Sequence, residues 1–175
     1  MHNNEKKNVA IIIGPSGSGK TAVAKALEKK YVSLDMDTQI NTGKKYDHKE
    51  IKEVFLNLEK KNPDIIALSV MRDIILELGH AERFEPFSST TTFRPIIFLK
   101  TKSEETHKKR LYKTTAHNQT RPEAQIKSVL SRRREINIIC GIVADVVLET
   151  DNLSIEETAS RIEGILSKWN ISSTQ

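Results

Sequence analysis

Val9-Ala10-Ile11-Ile12-Ile13-Gly14-Pro15-Ser16-Gly17-Ser18-Gly19-Lys20-Thr21 is the stretch on which the fold of this chain turns. Its first five residues are apolar and mostly β-branched, a run suited to a strand buried on both faces of a parallel sheet. The next eight fit G-x-x-x-x-G-K-[ST] at every fixed position. Beyond them, Val23, Ala26 and Leu27 supply the stripe of an amphipathic helix. Glycines let the main chain bend tightly enough for several N–H groups to converge on phosphate oxygens, and the helix N-terminus adds positive potential. Gly14, Pro15, Ser16, Gly17, Ser18, Gly19, Lys20 and Thr21 are therefore expected to cradle a nucleoside triphosphate, ATP. Lys20 would reach the β and γ phosphates and the Thr21 hydroxyl would ligate Mg²⁺. The competing explanation is a glycine-rich turn without function, which the strand before it and the helix after it oppose.

Outward from this stretch, apolar runs alternate with amphipathic ones. Residues 31–34 read as a second strand that ends at Asp35-Met36-Asp37. Ile51, Val54, Phe55 and Leu58 recur at helical spacing, and Asn62-Pro63 ends that helix. Residues 64–68 form a third strand, and residues 71–78 a helix that Gly79 would stop. Residues 95–99 give a fourth strand, after which Ser103-Glu104-Glu105 opens a capped helix. Ile126, Val129, Leu130 and Ile136 mark one further helix, and residues 145–149 a fifth strand. The closing helix shows Ile155, Thr158, Ala159, Ile162, Ile165, Leu166 and Trp169 on one face, with Ser154 and Glu157 as its capping box. Strands each followed by a helix define an α/β fold: a five-stranded parallel sheet with helices on both faces. At 175 residues the chain suits a single domain spanning 1–175.

Composition removes other classes. No run approaches the ~18 apolar residues of a membrane span, and residues 1–7 lack a cleavable signal pattern. Cys140 is the single cysteine, so no internal disulfide forms, and no Cys/His cluster has zinc spacing. A cytoplasmic location is expected. The 28 basic against 23 acidic residues leave +5, too small an excess to argue for nucleic acid. Arg132-Arg133-Arg134 has no interleaved aromatics and reads as a solvated helix face. The expected partners are the triphosphate and a small-molecule acceptor, without membrane or nucleic acid, in a monomer or weak dimer. Cys140, among Ile138, Ile139, Ile142 and Val143, reads as a small core residue. Phe84, Phe87 and Phe93 would pin the long polar connection 82–94, the alternative being that they wall a pocket. His117 falls in a second polar insert, where it could touch nucleotide.

Asp35 and Asp37 fall at the carboxyl edge of the second strand, where ligands of open α/β sheets collect. One would hold Mg²⁺, and the other would orient or deprotonate a hydroxyl. The residues beyond the loop resemble the shikimate kinase family. GPSGSGKTAVAKALEKK followed by LDMDTQI has that family's phosphate loop, Asp-x-Asp pair and isoleucine, at Asp35, Asp37 and Ile40. TAHNQTRP is similar to the family's mobile lid, with Arg121 and Pro122 as its arginine and proline, and residues 144–154 are similar to its last strand and adenine-side loop. The resemblance implies a P-loop NTPase fold of the nucleoside/shikimate kinase type, sheet order 2-3-1-4-5 and a lid at 113–122. It further implies transfer of the γ-phosphoryl group of Mg-ATP to an acceptor hydroxyl, with Asp35 on the metal side and Asp37 at the acceptor. Lys20, Asp37 and Arg121 would then be catalytic, with Arg110 and Lys113 as second candidates for the lid cation.

The chain departs from that family on the acceptor side. Residues 56–63 (LNLEKKNP) lack its Gly-Glu…Phe-Arg segment, Ser69-Val70-Met71-Arg72 replaces a glycine triplet, and Ile136 stands where an arginine is expected, two residues from Arg134. A carboxylate needs a paired cationic clamp, so the resemblance carries the ATP machinery further than the acceptor. Arg72, after the third strand, is a candidate to face it. A nucleoside or nucleotide kinase and a catalytically inactive ATP-binding regulator are the alternatives.

Overall fold

The computed structural model describes residues 6–38, 40, 45–69, 72–84, 86–113 and 121–173. The order is β1 (Lys7–Asn8), β2 (Ala10–Gly14), α1 (Lys20–Leu27), β3 (Ser33–Asp35), a 3₁₀ turn (Met36–Thr38), α2 (His48–Glu59), β4 (Ile65–Ser69) and α3 (Arg72–Phe84). It continues with β5 (Thr91–Thr92), β6 (Ile96–Lys100), α4 (Glu104–Lys113), α5 (Glu123–Ser131), α6 (Arg133–Val143), β7 (Val146–Glu149) and α7 (Ile155–Lys168).

The main sheet runs β3-β4-β2-β6-β7 with every pair parallel. Counting its five strands alone, that is the 2-3-1-4-5 order expected from the sequence; the difference is a separate parallel pair, β1 with β5. β2 lies at the centre, its Ile11 beside Ile66 on one side and Ile96 on the other. Because strand side chains alternate between faces, Ile11 and Ile13 join Phe55, Ile75, Leu78 and Cys140 in one core layer. Ala10 and Ile12 face Val23, Leu27, Ile162 and Leu166 in the other. All these side chains are buried, and each full burial of an Ile, Leu or Phe stabilises by roughly 1.5–3 kcal/mol. Central placement and two covering layers fix the β2–α1 junction from both sides.

Three elements depart from expectation. α3 does not stop at Gly79 but continues to Phe84. A Cβ on Gly79 would lie 2.6 Å from Val143 Cγ1, so this glycine permits close approach of α3 to α6 instead of ending a helix. The helix expected through Ile126 and Ile136 is two helices, parted at Arg132, whose guanidinium turns back onto the Ser128 carbonyl and hydroxyl. The connection after α3 is pinned as expected by Phe87 and Phe93, packed on Phe55 at 5.0 and 4.9 Å between ring centroids, while the Phe84 side chain lies outside what the structure describes. The hydroxyls of Ser88, Thr90 and Thr91 also donate to one Glu59 carboxylate oxygen.

At the amino edge of the sheet, ion pairs staple neighbouring segments. Lys7 meets Asp64 at 3.2 Å. Arg94 grips the Asp145 carboxylate through two nitrogens, and Asp145 also accepts the Ile96 N–H. The Asn8 amide donates to the Trp169 carbonyl at 2.8 Å. The expected Ser154–Glu157 capping box is present at the start of α7. Among the described residues, no helix is long and apolar enough to cross a membrane.

Candidate active site

The carboxyl ends of β2, β3 and β4 converge on the loop from Gly14 to Gly19. Gly14 has no room for a side chain: a Cβ there would lie 2.7 Å from the Leu99 carbonyl oxygen. Gly17 adopts φ 82°, the left-handed region, and a Cβ would press on Leu111 Cδ2 at 2.9 Å. These constraints give the bend its shape.

Lys20, the first residue of α1, is buried, and its Nζ donates to the carbonyls of Gly14 (2.8 Å) and Pro15 (3.1 Å). Burial pulls its pKa down to about 8, against the nearby carboxylates of Asp37 and Asp35, which raise it. A cation held on carbonyl oxygens alone gains most from an anion placed beside it. Thr21 Oγ1 donates to Asp35 Oδ2 at 3.1 Å. The other Asp35 oxygen accepts the Asp37 N–H at 3.0 Å, and Asp37 Oδ1 accepts the Ser69 N–H at 3.2 Å. Hydroxyl and carboxylate oxygens are thus linked from α1 through β3 to the end of β4. An all-oxygen donor set suits a hard cation such as Mg²⁺, so Thr21 and Asp35 fit that ion; no group of three or more His, Cys, Asp or Glu that could hold a metal occurs among the described residues.

Arg121 reaches the same loop, its guanidinium donating to Ser16 Oγ at 2.6 Å. The other lid candidates do not join it. Arg110 grips the Thr150 carbonyl and hydroxyl, and Lys113 lies exposed at the end of α4. Residues 114–120 of the expected lid, including His117, lie outside the described residues. Arg72, the candidate to face an acceptor, pairs at the surface with Glu135 at 2.8 Å. Nor are Arg132, Arg133 and Arg134 one solvated face, because Arg133 turns inward onto the carbonyls of Thr101 and Lys102. Cys140 is buried as expected, and burial pushes its thiol up to about 12.

A cavity of about 250 Å³ opens beside the loop, lined by Gly17, Gly19, Val23, Arg110, Thr150 and Leu153 among others. Its walls are mainly apolar, and it begins where the phosphate loop ends, a position suited to a nucleobase. Sequence reasoning missed His107. This fully buried residue of α4 places Nε2 2.7 Å from the Ser16 carbonyl oxygen. The available signal was its place four residues after the Ser103 cap and four before Leu111, on the inward face of that helix.

A family described as "ATPase family associated with various cellular activities (AAA)" matches residues 10–70, which include the phosphate loop, Asp35 and Asp37. No curated protein matches the chain. Among solved structures, shikimate kinase from Acinetobacter baumannii in complex with shikimate superposes with a TM-score of 0.59 at 17% identity, covering 97% of each chain. Shikimate kinase from Bacteroides thetaiotaomicron gives 0.56 at 18% identity, covering 91% of this chain and 98% of the other. A sugar kinase from a Janibacter species gives 0.57 at 18%, with 95% and 96% covered. The molecule therefore has a P-loop NTPase fold. Its particular form is shikimate kinase-like, and it is shared across nearly the whole chain.

Proposed function

We propose that this protein is an ATP-dependent small-molecule kinase that transfers the γ-phosphoryl group of Mg-ATP to an acceptor hydroxyl. The observation that carries the reading is the connected set Lys20, Thr21–Asp35 and Asp37–Ser69 at the carboxyl edge of the sheet. Phosphoryl transfer asks little covalent work of a protein; it asks for positioning and for charge where charge develops. Loop amides from Gly14 to Gly19 hold the phosphates, and Lys20 neutralises the β and γ groups. Thr21 and Asp35 hold Mg²⁺, which supplies further neutralisation when bound. Asp37 Oδ1 is fixed by the Ser69 amide, which orients the carboxylate to accept the proton of an acceptor hydroxyl. Arg121, already on Ser16, is the cation for the transferring group, in a single domain whose lid is 113–122. Two features favour a neutral polyol, sugar or nucleoside over an acidic acceptor: Arg72 is engaged by Glu135, and the segment before β4 has no clamp arginine.

A coupled assay of ADP release across shikimate-like polyols, sugars, nucleosides and nucleotides tests this. Turnover with one class, abolished in Lys20→Met, is the expected result. Nucleotide binding without turnover on any acceptor would support a regulatory ATP-binding protein instead.

A further inference from the structure

The helix that packs on the apex of the phosphate loop carries an unexpected polar residue. α4 presents His107 and Leu111, one turn apart, to the loop. Leu111 fills the space beside Gly17, and His107 Cδ2 would stand 3.5 Å from a Cβ placed there. Nε2 lies 2.7 Å from the Ser16 carbonyl oxygen, which is only an acceptor, so Nε2 carries the proton. Nδ1 is then an unprotonated nitrogen, and it is buried with no hydrogen-bond partner among the described residues. A leucine would fill this site without stranding a nitrogen. The histidine therefore earns its place through Nε2 alone.

We propose that His107 is a positioning residue for the phosphate site: its Nε2–H fixes the Ser16–Gly17 peptide, and so aims the Gly17 N–H, on the far side of that peptide from the Ser16 carbonyl, at the incoming phosphates. The preceding peptide is held through its Pro15 carbonyl by the Ser18 N–H and Lys20 Nζ, both at 3.1 Å, while the contact His107 makes is to the carbonyl of the next peptide, Ser16–Gly17. Rotating the Ser16 carbonyl inward would point an oxygen at phosphate oxygens. The histidine bond holds that carbonyl on the α4 side. Ser16 is also where Arg121 attaches by its hydroxyl, so the same residue is held from two elements.

The groups around the ring are consistent with a neutral imidazole. Lys20 from α1, Arg110 from α4 and Arg133 from α6 face it, all cations, and burial first, then these charges, hold its pKa below the ordinary histidine value despite the Ser16 bond. Neutrality is what the stranded Nδ1 requires.

This inference rests on nucleotide binding as proposed above but not on turnover, so the test is a binding measurement. Titrate full-length wild type, His107→Gln and His107→Leu with MgADP by calorimetry at pH 8, and record thermal melts of all three. Glutamine keeps an N–H near the Nε2 position; leucine keeps the packing and loses the donor. The expected result is His107→Gln within about threefold of wild type and His107→Leu about tenfold weaker, the scale of one lost hydrogen bond to a buried carbonyl. Melting temperatures of the two variants should not follow that order. Nitrogen-15 spectra of the wild-type ring should show the neutral Nε2–H form persisting to lower pH than in an unburied histidine. Equal affinity for all three proteins, or equal loss in both variants, would overturn the positioning role while leaving nucleotide binding intact. A wild type that ignores MgADP would instead overturn the functional reading, and this inference with it.

Discussion

At the residue scale, Lys20 is the side chain whose environment has the clearest measurable consequence. Its pKa is lowered to about 8, chiefly by burial. Above that pH the amine is increasingly neutral without ligand, and a triphosphate draws it back to the charged form. Affinity for MgADP is therefore expected to fall as pH rises through 8, with proton uptake on binding seen as a buffer-dependent calorimetric enthalpy near pH 8.5. The sign is opposite for stability: the unfolded chain binds more protons between about 8 and 10.5, so the cost of burying this charge is fully present below 8 and is relieved as pH rises from 8 to 10.5. On the proposed chemistry, Asp37→Asn should lower turnover by about 10²–10⁴ with little change in MgADP affinity. Arg121→Ala should lower turnover by about 10³, far more than it weakens binding. Full activity of Asp37→Asn at saturating Mg²⁺ would remove that residue from the acceptor role.

At the element scale, regular local signals were legible and relations between distant elements were not. The phosphate-loop spacing, the capping box at Ser154 and Glu157, and the alternation of runs each depend on neighbours in sequence, and each is where it was read. Gly79 was misread because a stop signal and a contact point look alike until the partner is known; here the partner is Val143, 64 positions away in the chain. The break at Arg132 escaped because apolar spacing runs across it. His107 escaped because its partner is the Ser16 carbonyl, which no residue pattern displays. Two measurements follow. Gly79→Ala should cost about 1–3 kcal/mol in chemical denaturation, since its methyl would meet Val143, and Val143→Ala in the same chain should recover part of that loss. Ser154→Ala should cost about 1 kcal/mol by leaving the Glu157 amide without its cap.

For the whole molecule, binding at one edge of the sheet should register as stability of the entire fold, because the loop and β2 lie at its centre between two buried layers. At a MgADP concentration of about 100 times Kd the linkage stabilises by about 2.7 kcal/mol. For a chain of this length that raises Tm by roughly 5–10 °C; no shift with any purine nucleotide would argue against the site. The two edges of the sheet have opposite characters. One carries the phosphate loop, and the other is stitched by Lys7–Asp64, Arg94–Asp145 and the Asn8–Trp169 bond. That last bond brings the early and late parts of the chain together a full strand length from Gly14. A tether, fluorescent label or solid support joined near either part would hold the molecule by its back, with the mouth of the site facing outward.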